Sequence, residues 1–236
     1  GGKKISKSLG NVITAQKWLE FGNSKSILLL LYKRITGARE LGFDDIPGLM
    51  NEYNELEDTY FGRIKVDNQA KLTKLKGLYE YVNLLSPPKQ SSTHVNYRLL
   101  IELTKIFKEN RNERVMKKLI DYGVIKEEGN QEIQKLIEIA GNYSDEFDEQ
   151  EKIEVELDAT AKKAISLLIT ELEKEEDPED IQNTIYQIAK GNDVQPKDFF
   201  KILYQIILGT SRGPKIGPFI TDIGRKQVAK TLTEYV

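Results

Sequence analysis

An all-α chain is what this sequence predicts, on three observations. Apolar residues recur at helical spacing along the whole length, and no stretch sustains the apolar-polar alternation of a half-buried strand. The spacers between periodic stretches are short and open on helix caps or first-turn prolines. With 236 residues, the chain can form one large domain or two smaller ones, each with its own core.

A first helix is expected over residues 15–34, with Trp18, Leu19, Ile27, Leu28, Leu31 and Tyr32 as its buried stripe and a soft break at Phe21-Gly22-Asn23. A second opens with Asp45 as N-cap and Pro47 in the first turn, and carries Leu49, Met50, Tyr53, Leu56, Tyr60 and Phe61. A third spans 69–85, with Leu72, Leu75, Leu78, Tyr79 and Val82 on one side. Ser86-Pro87-Pro88-Lys89-Gln90-Ser91-Ser92-Thr93 reads as a linker, because two prolines and a run of small polar residues cannot continue a helix, and a domain boundary is placed there. Beyond it, helices are expected at 97–107, 113–122, 131–147, 159–175, 178–190, 196–208 and 226–235. Asp158 and Asp177 are natural caps, and Pro178 and Pro196 sit where first-turn prolines belong. Such short connections imply an antiparallel bundle or cage, an architecture that says nothing by itself about function.

Composition narrows the class. The longest purely apolar run, Ile27 to Leu31, is far short of the roughly 20 residues that span a bilayer. The absence of cysteine excludes disulfides and thiolate metal sites and fits a cytoplasmic setting. Net charge is −2, yet residues 1–39 carry about seven more basic than acidic groups and residues 144–180 about eleven more acidic than basic ones. Phosphate attraction acts over a Debye length of about 8–10 Å, so basic ends can grip RNA despite an acidic middle, which reads as a solvated face. No metal site is expected, because acids crowded between Glu171 and Asp180 without histidine or cysteine are ordinarily solvated.

Two segments carry chemistry. Lys4-Ile5-Ser6-Lys7-Ser8-Leu9-Gly10-Asn11 combines mobile ammonium groups, serine hydroxyls and a glycine just before a helix, which suits the neutralisation of phosphate oxygens during ATP-dependent adenylation. The second, Leu208-Gly209-Thr210-Ser211-Arg212-Gly213-Pro214-Lys215-Ile216-Gly217-Pro218-Phe219-Ile220, reads as a helix C-cap at Gly209 and a shaped loop. There Gly213 and Gly217 let backbone amides approach a ligand, Arg212 and Lys215 supply charge, and Phe219 offers a ring for base stacking. Arg225 extends the basic tail, while Tyr122, Tyr143 and Tyr204 are further candidate stacking platforms. His94 reads as a surface histidine of the linker rather than a catalyst, and Trp18 as core.

The first segment, continued by Val12 and Ile13, resembles the K-M-S-K-S signature and Leu-Gly-Asn-Val tail of class I aminoacyl-tRNA synthetases, with Ile5 in place of methionine. Taken with the Tyr-Asn-Glu-Leu-Glu run of the second helix, Asn96-Tyr97-Arg98-Leu99-Leu100 and the closing Gly-Pro-x-x-Gly-Pro-Phe-Ile, the chain resembles class I lysyl-tRNA synthetases over essentially its whole length. The resemblance implies three parts: the signature loop at 1–13, a stem-contact helical domain at 14–88, and an all-helical anticodon-binding bundle or cage at 89–236. It implies lysine activation with ATP, magnesium held by the nucleotide, and transfer to a lysine tRNA, with no membrane or DNA partner. Lys7 and Lys4 are then the catalytic lysines, and Lys4, Ser6, Lys7 and Ser8 face the ATP phosphates. The Rossmann domain and its H-I-G-H loop have no counterpart here, since the chain holds one histidine, so this portion alone is expected to be inactive. Two alternatives stand beside this: the same portion of a cysteinyl, glutamyl or methionyl enzyme, and a non-catalytic helical interaction module.

Overall fold

The structure, a computed structural model, describes residues 13–36, 42–126, 131–147, 154–174 and 177–236. Among these are twelve α-helices and no strand, in agreement with the all-α expectation. The chain folds as two compact units, one of residues 1–101 with 131–148 and one of 102–130 with 149–236. The division does not coincide with the Pro-Pro segment, because that segment is itself packed on the first unit.

The first unit contains α1 (Ala15–Leu19), α2 (Ser24–Lys33), α3 (Asp45–Tyr60), α4 (Gln69–Val82), the start of α5 (Tyr97–Ile106) and α7 (Gln131–Glu146). The soft break at Gly22 is a complete one. Asn23 caps α2 by accepting from the Ser26 amide at 2.9 Å, and a Cβ on Gly22 would lie 2.9 Å from Ile46 Cγ2, so the chain turns where only glycine fits. Asp45 is not the cap of α3. Asp44 holds that position without a side-chain bond, and Asp45 accepts from the Gly42 amide at 2.8 Å to close the preceding turn. α4 stops at Val82, short of Leu85. Asn83 donates to Tyr79 O at 2.9 Å, and Leu84 and Leu85 both take positive φ, of 54° and 58°. Trp18 is fully buried, as expected, and its indole donates to Ser26 Oγ at 2.9 Å. The Tyr97 hydroxyl reaches Phe21 O at 2.5 Å, which ties the chain after the prolines to the α1–α2 turn. Around Phe21 pack Phe43, Tyr143 and Phe147, mostly edge to face.

The second unit contains the end of α5, α6 (Arg111–Asp121), α8 (Ala159–Leu172), α9 (Pro178–Gly191), α10 (Pro196–Leu208), α11 (Ile216–Ile223) and α12 (Arg225–Thr233). Its core is aliphatic, built on Ile165, Leu168, Ile185, Leu203, Ile220 and Leu232 around Phe199. The caps expected from the sequence are in place: Asp158 accepts from Ala161 N at 2.7 Å, Asp177 from Glu179 N at 2.7 Å, and Gly209 ends α10 at φ 67°. α11 stands where the sequence predicts a loop. Its Pro218 falls in the first turn, where a missing N–H costs no helical hydrogen bond, so Gly-Pro here starts a helix rather than breaking one.

Candidate nucleic-acid interface

The Gly-Pro segment is shaped by packing. A Cβ on Gly217 would sit 1.9 Å from the Pro178 carbonyl oxygen, so α11 meets the start of α9 backbone to backbone, and Gly217 N donates to Gln182 Oε1 at 3.2 Å. A Cβ on Gly213 would meet the Tyr204 ring at 2.6 Å, while the Tyr204 hydroxyl donates to Pro214 O at 2.5 Å. These two glycines admit neighbouring parts of the same unit, in place of the ligand that the sequence suggests.

Of the four residues expected to hold tRNA, three carry charge at or near the surface. Arg212 is exposed. Lys215 is exposed and lies 3.7 Å from Glu179 Oε1, and half-buried Arg225 donates from a terminal guanidinium nitrogen to Lys174 O at 2.5 Å. Phe219 is corrected: it is fully buried, edge-on to Tyr122 at 6.1 Å between centroids, and presents no face to a base. Tyr143 is corrected in the same way, as a buried member of the Phe21 cluster. Tyr122 and Tyr204 are half-buried and committed by their hydroxyls, Tyr122 donating to the Asp222 carboxylate. Burial, and then the hydrogen bond to Asp222, push the Tyr122 hydroxyl well above the usual tyrosine range; burial alone raises Tyr204. Lys118 Nζ completes this junction of α6 and α11 at 2.9 Å from the Asp222 carboxylate. Lys4, Ser6, Lys7 and Ser8 lie outside the described residues.

The sequence motifs do not point to α6. Val115, Met116 and Leu119 face the core, while Arg114 and Lys117 stand exposed on the other side and Lys108 stands exposed just before the helix. The Arg114 guanidinium lies over the Phe107 ring at 4.6 Å. A signal is present in the composition: residues 105–126 hold seven basic and three acidic side chains. Ordinary helical spacing hides it, with no proline to mark the helix and no glycine before Gly123.

His94 is likewise more than a surface residue. Its Nε2 lies 3.0 Å from Glu57 Oε1 and its Nδ1 3.2 Å from Asp58 Oδ1. Glu57 is only 2% exposed, and the same oxygen accepts from Ser92 N at 2.6 Å, Ser92 Oγ at 2.7 Å and Ser91 Oγ at 3.0 Å, with Tyr79 donating to Oε2 at 2.9 Å. Burial opposes ionisation of this carboxylate, but the bonds from His94, Ser92 and Tyr79 outweigh it and hold Glu57 well below the usual glutamate range. The cluster anchors the Pro-Pro segment to α3 and α4. Among the described residues no group of three or more His, Asp or Glu side chains could hold a metal ion, and no helix is long and apolar enough to cross a membrane.

Comparison with known proteins finds two family matches along the chain. Residues 1–85 match the class I (K) tRNA synthetase family, and residues 99–236 match the anticodon binding domain family. A lysine–tRNA ligase of Cenarchaeum symbiosum is 53% identical over 230 residues, 97% of this chain and 43% of that protein. Lysine–tRNA ligases of Borrelia garinii and Picrophilus torridus are each 28% identical, over 100% and 96% of this chain and 47% and 45% of their own lengths. The chain thus spans a little under half the length of these relatives. With the K-type synthetase match at its start and an anticodon-binding match over more than half its length, the chain belongs to the anticodon-binding family, as the homologue of that part of class I lysine–tRNA ligases.

Proposed function

We propose that this chain is the tRNA-contacting portion of a class I lysine–tRNA ligase, a cytoplasmic enzyme that activates lysine with ATP and transfers it from lysyl-adenylate to a lysine tRNA. What supports the reading is identity of 53% to a lysine–tRNA ligase along 97% of the chain. The match of residues 1–85 to the class I (K) synthetases favours the lysine enzyme over the cysteine, glutamate and methionine ones and over a non-catalytic module. Arg212, Lys215 and Arg225 are the cations of the Gly-Pro region assigned to the RNA. Phe219 supports them from the core, by fixing α11 against Tyr122.

The test is a titration of the 236-residue chain with the anticodon hairpin of a lysine tRNA against the same hairpin with a changed anticodon, at fixed salt. A clear preference for the lysine hairpin is expected; equal binding of both overturns anticodon reading by this portion. ATP and its magnesium ion are assigned to the complete ligase, with Lys4, Ser6, Lys7 and Ser8 at the phosphates on the strength of the signature alone. These residues lie outside the described residues. In the complete ligase, Lys7→Ala is expected to slow lysine-dependent pyrophosphate exchange by about 10²–10³, the usual effect of removing one group that stabilises transition-state charge. Unchanged exchange removes Lys7 from that role.

A further inference from the structure

The second unit displays some cations with carboxylate partners and many without. Lys118 is paired with Asp222 and Lys174 with Glu171, Lys215 lies near Glu179, and one guanidinium nitrogen of Arg225 donates to the Lys174 carbonyl. Lys108, Arg114 and Lys117 are exposed and, among the described residues, have no ion-pair partner, as is true also of Lys162, Lys163, Lys197 and Arg212; what sets the three apart is their placement around one helix and the ring beneath Arg114. A phosphate binder gains most from a cation that gives up no carboxylate to bind, because exchanging one partner for another cancels much of the gain.

The three are also placed to act together. Arg114 and Lys117 are one helical turn apart on the side of α6 opposite Val115, Met116 and Leu119, whose burial fixes the helix and hence the direction of the basic side. Phe107 lies beneath the Arg114 guanidinium at 4.6 Å, a contact that restricts the side chain, so less freedom is lost when an anion binds. Lys108 follows Phe107 directly in the chain. At its far end α6 is joined to α11 through Lys118, Tyr122 and Asp222, so the basic side belongs to the same unit as the Gly-Pro segment.

We propose that Lys108, Arg114 and Lys117 form a phosphate-backbone site for tRNA on α6, separate from the Gly-Pro segment and indifferent to base sequence. The inference rests on the tRNA-contacting function above. Its occupant is RNA backbone, argued from charge complementarity: residues 105–126 keep seven basic against three acidic side chains, with Glu109 and Glu113 exposed among them, in a chain whose net charge is −2. Backbone contacts set register and supply salt-dependent affinity, whereas discrimination between anticodons comes from contacts to bases.

The experiment uses the 236-residue chain and two hairpins, the lysine anticodon stem-loop and its changed-anticodon counterpart, titrated at several salt concentrations. The triple variant Lys108→Gln, Arg114→Gln, Lys117→Gln is compared with a control of equal charge change, Lys162→Gln, Lys163→Gln, Lys197→Gln, drawn from exposed lysines of α8 and α10. The α6 variant is expected to bind both hairpins about 10- to 100-fold more weakly near 0.1 M salt, with a log–log salt slope shallower by about two to three. The control is expected to stay within about threefold of the unaltered chain. All six positions are exposed, so circular dichroism and Tm are expected to match and exclude unfolding. Unchanged affinity and slope in the α6 variant, or an equal loss in the control, overturns the site while leaving the tRNA-contacting function intact. Absence of RNA binding by the unaltered chain overturns that function and this site with it.

Discussion

The segment from Ser86 to Asn96 in the first unit and the segment from Gly209 to Pro218 in the second, which runs into the start of α11, both press their backbone against helices, and they do so by opposite means. In the first, one buried carboxylate, Glu57, gathers donors from Tyr79, Ser91, Ser92 and His94. In the second, side chains are missing at the point of contact, so Gly217 meets the Pro178 carbonyl and Gly213 meets the Tyr204 ring. The difference teaches that a polar anchor is sensitive to protonation and tolerant of small shifts, whereas a steric anchor is insensitive to pH and intolerant of one added methyl.

The largest effect is expected at Gly217. The contact in Gly217→Ala is with main chain, at 1.9 Å from the carbonyl oxygen, and main chain cannot rotate aside. Separation of α11 from α9 is expected to cost about 3 kcal/mol or more, read as a lowered Tm and denaturant midpoint. An unchanged midpoint breaks the steric half of the comparison.

Next in size is Glu57→Gln, expected to cost about 2 kcal/mol at neutral pH, since an amide cannot accept at Oε1 and Oε2 alike and leaves buried donors unmet. The pH dependence sharpens the contrast. The folded-state pKa of Glu57 lies below its unfolded value, so its contribution is present in full above the ordinary glutamate range near pH 4.3 and declines as pH falls toward the folded value, by at most about 1.4 kcal/mol per pH unit. Denaturant titrations between pH 7 and 3 are therefore expected to show a steeper acid loss for the unaltered chain and for Gly213→Ala than for Glu57→Gln. Parallel curves sink the polar half.

The smallest effect is expected at Gly213→Ala, about 1 kcal/mol, because the obstructing group is the Tyr204 ring, which can tilt once its hydroxyl releases Pro214 O. Tyr204→Phe removes that tether, and a double-mutant cycle is expected to show coupling between the two positions. Strict additivity shows that the ring is not what Gly213 accommodates.

Much of this is legible in the residues. Helical spacing and single-residue caps place nearly every helix within two or three positions, because Asp158, Asp177, Pro178 and Gly209 act on backbone within a few residues of themselves. α11 escapes that reading because Gly-Pro looks like a breaker at a position where proline starts a helix. The site is less legible, since glycine, proline and aromatic residues carry its most visible signals. Phe219 is fully buried, and the unpaired cations of α6 lie in unremarked helical sequence.

By itself the sequence determined the fold class, the family resemblance and the identity of the charged groups, all of which follow from local propensity or from residue order. Only the tertiary structure decided which groups are committed to the protein and which are left over. Gly217 answers to Pro178 and Gln182, His94 to Glu57, and Lys118 to Asp222, over separations of 35, 37 and 104 residues for the last partner in each case. Burial and pairing are properties of such non-local neighbours, and no spacing rule along the chain contains them.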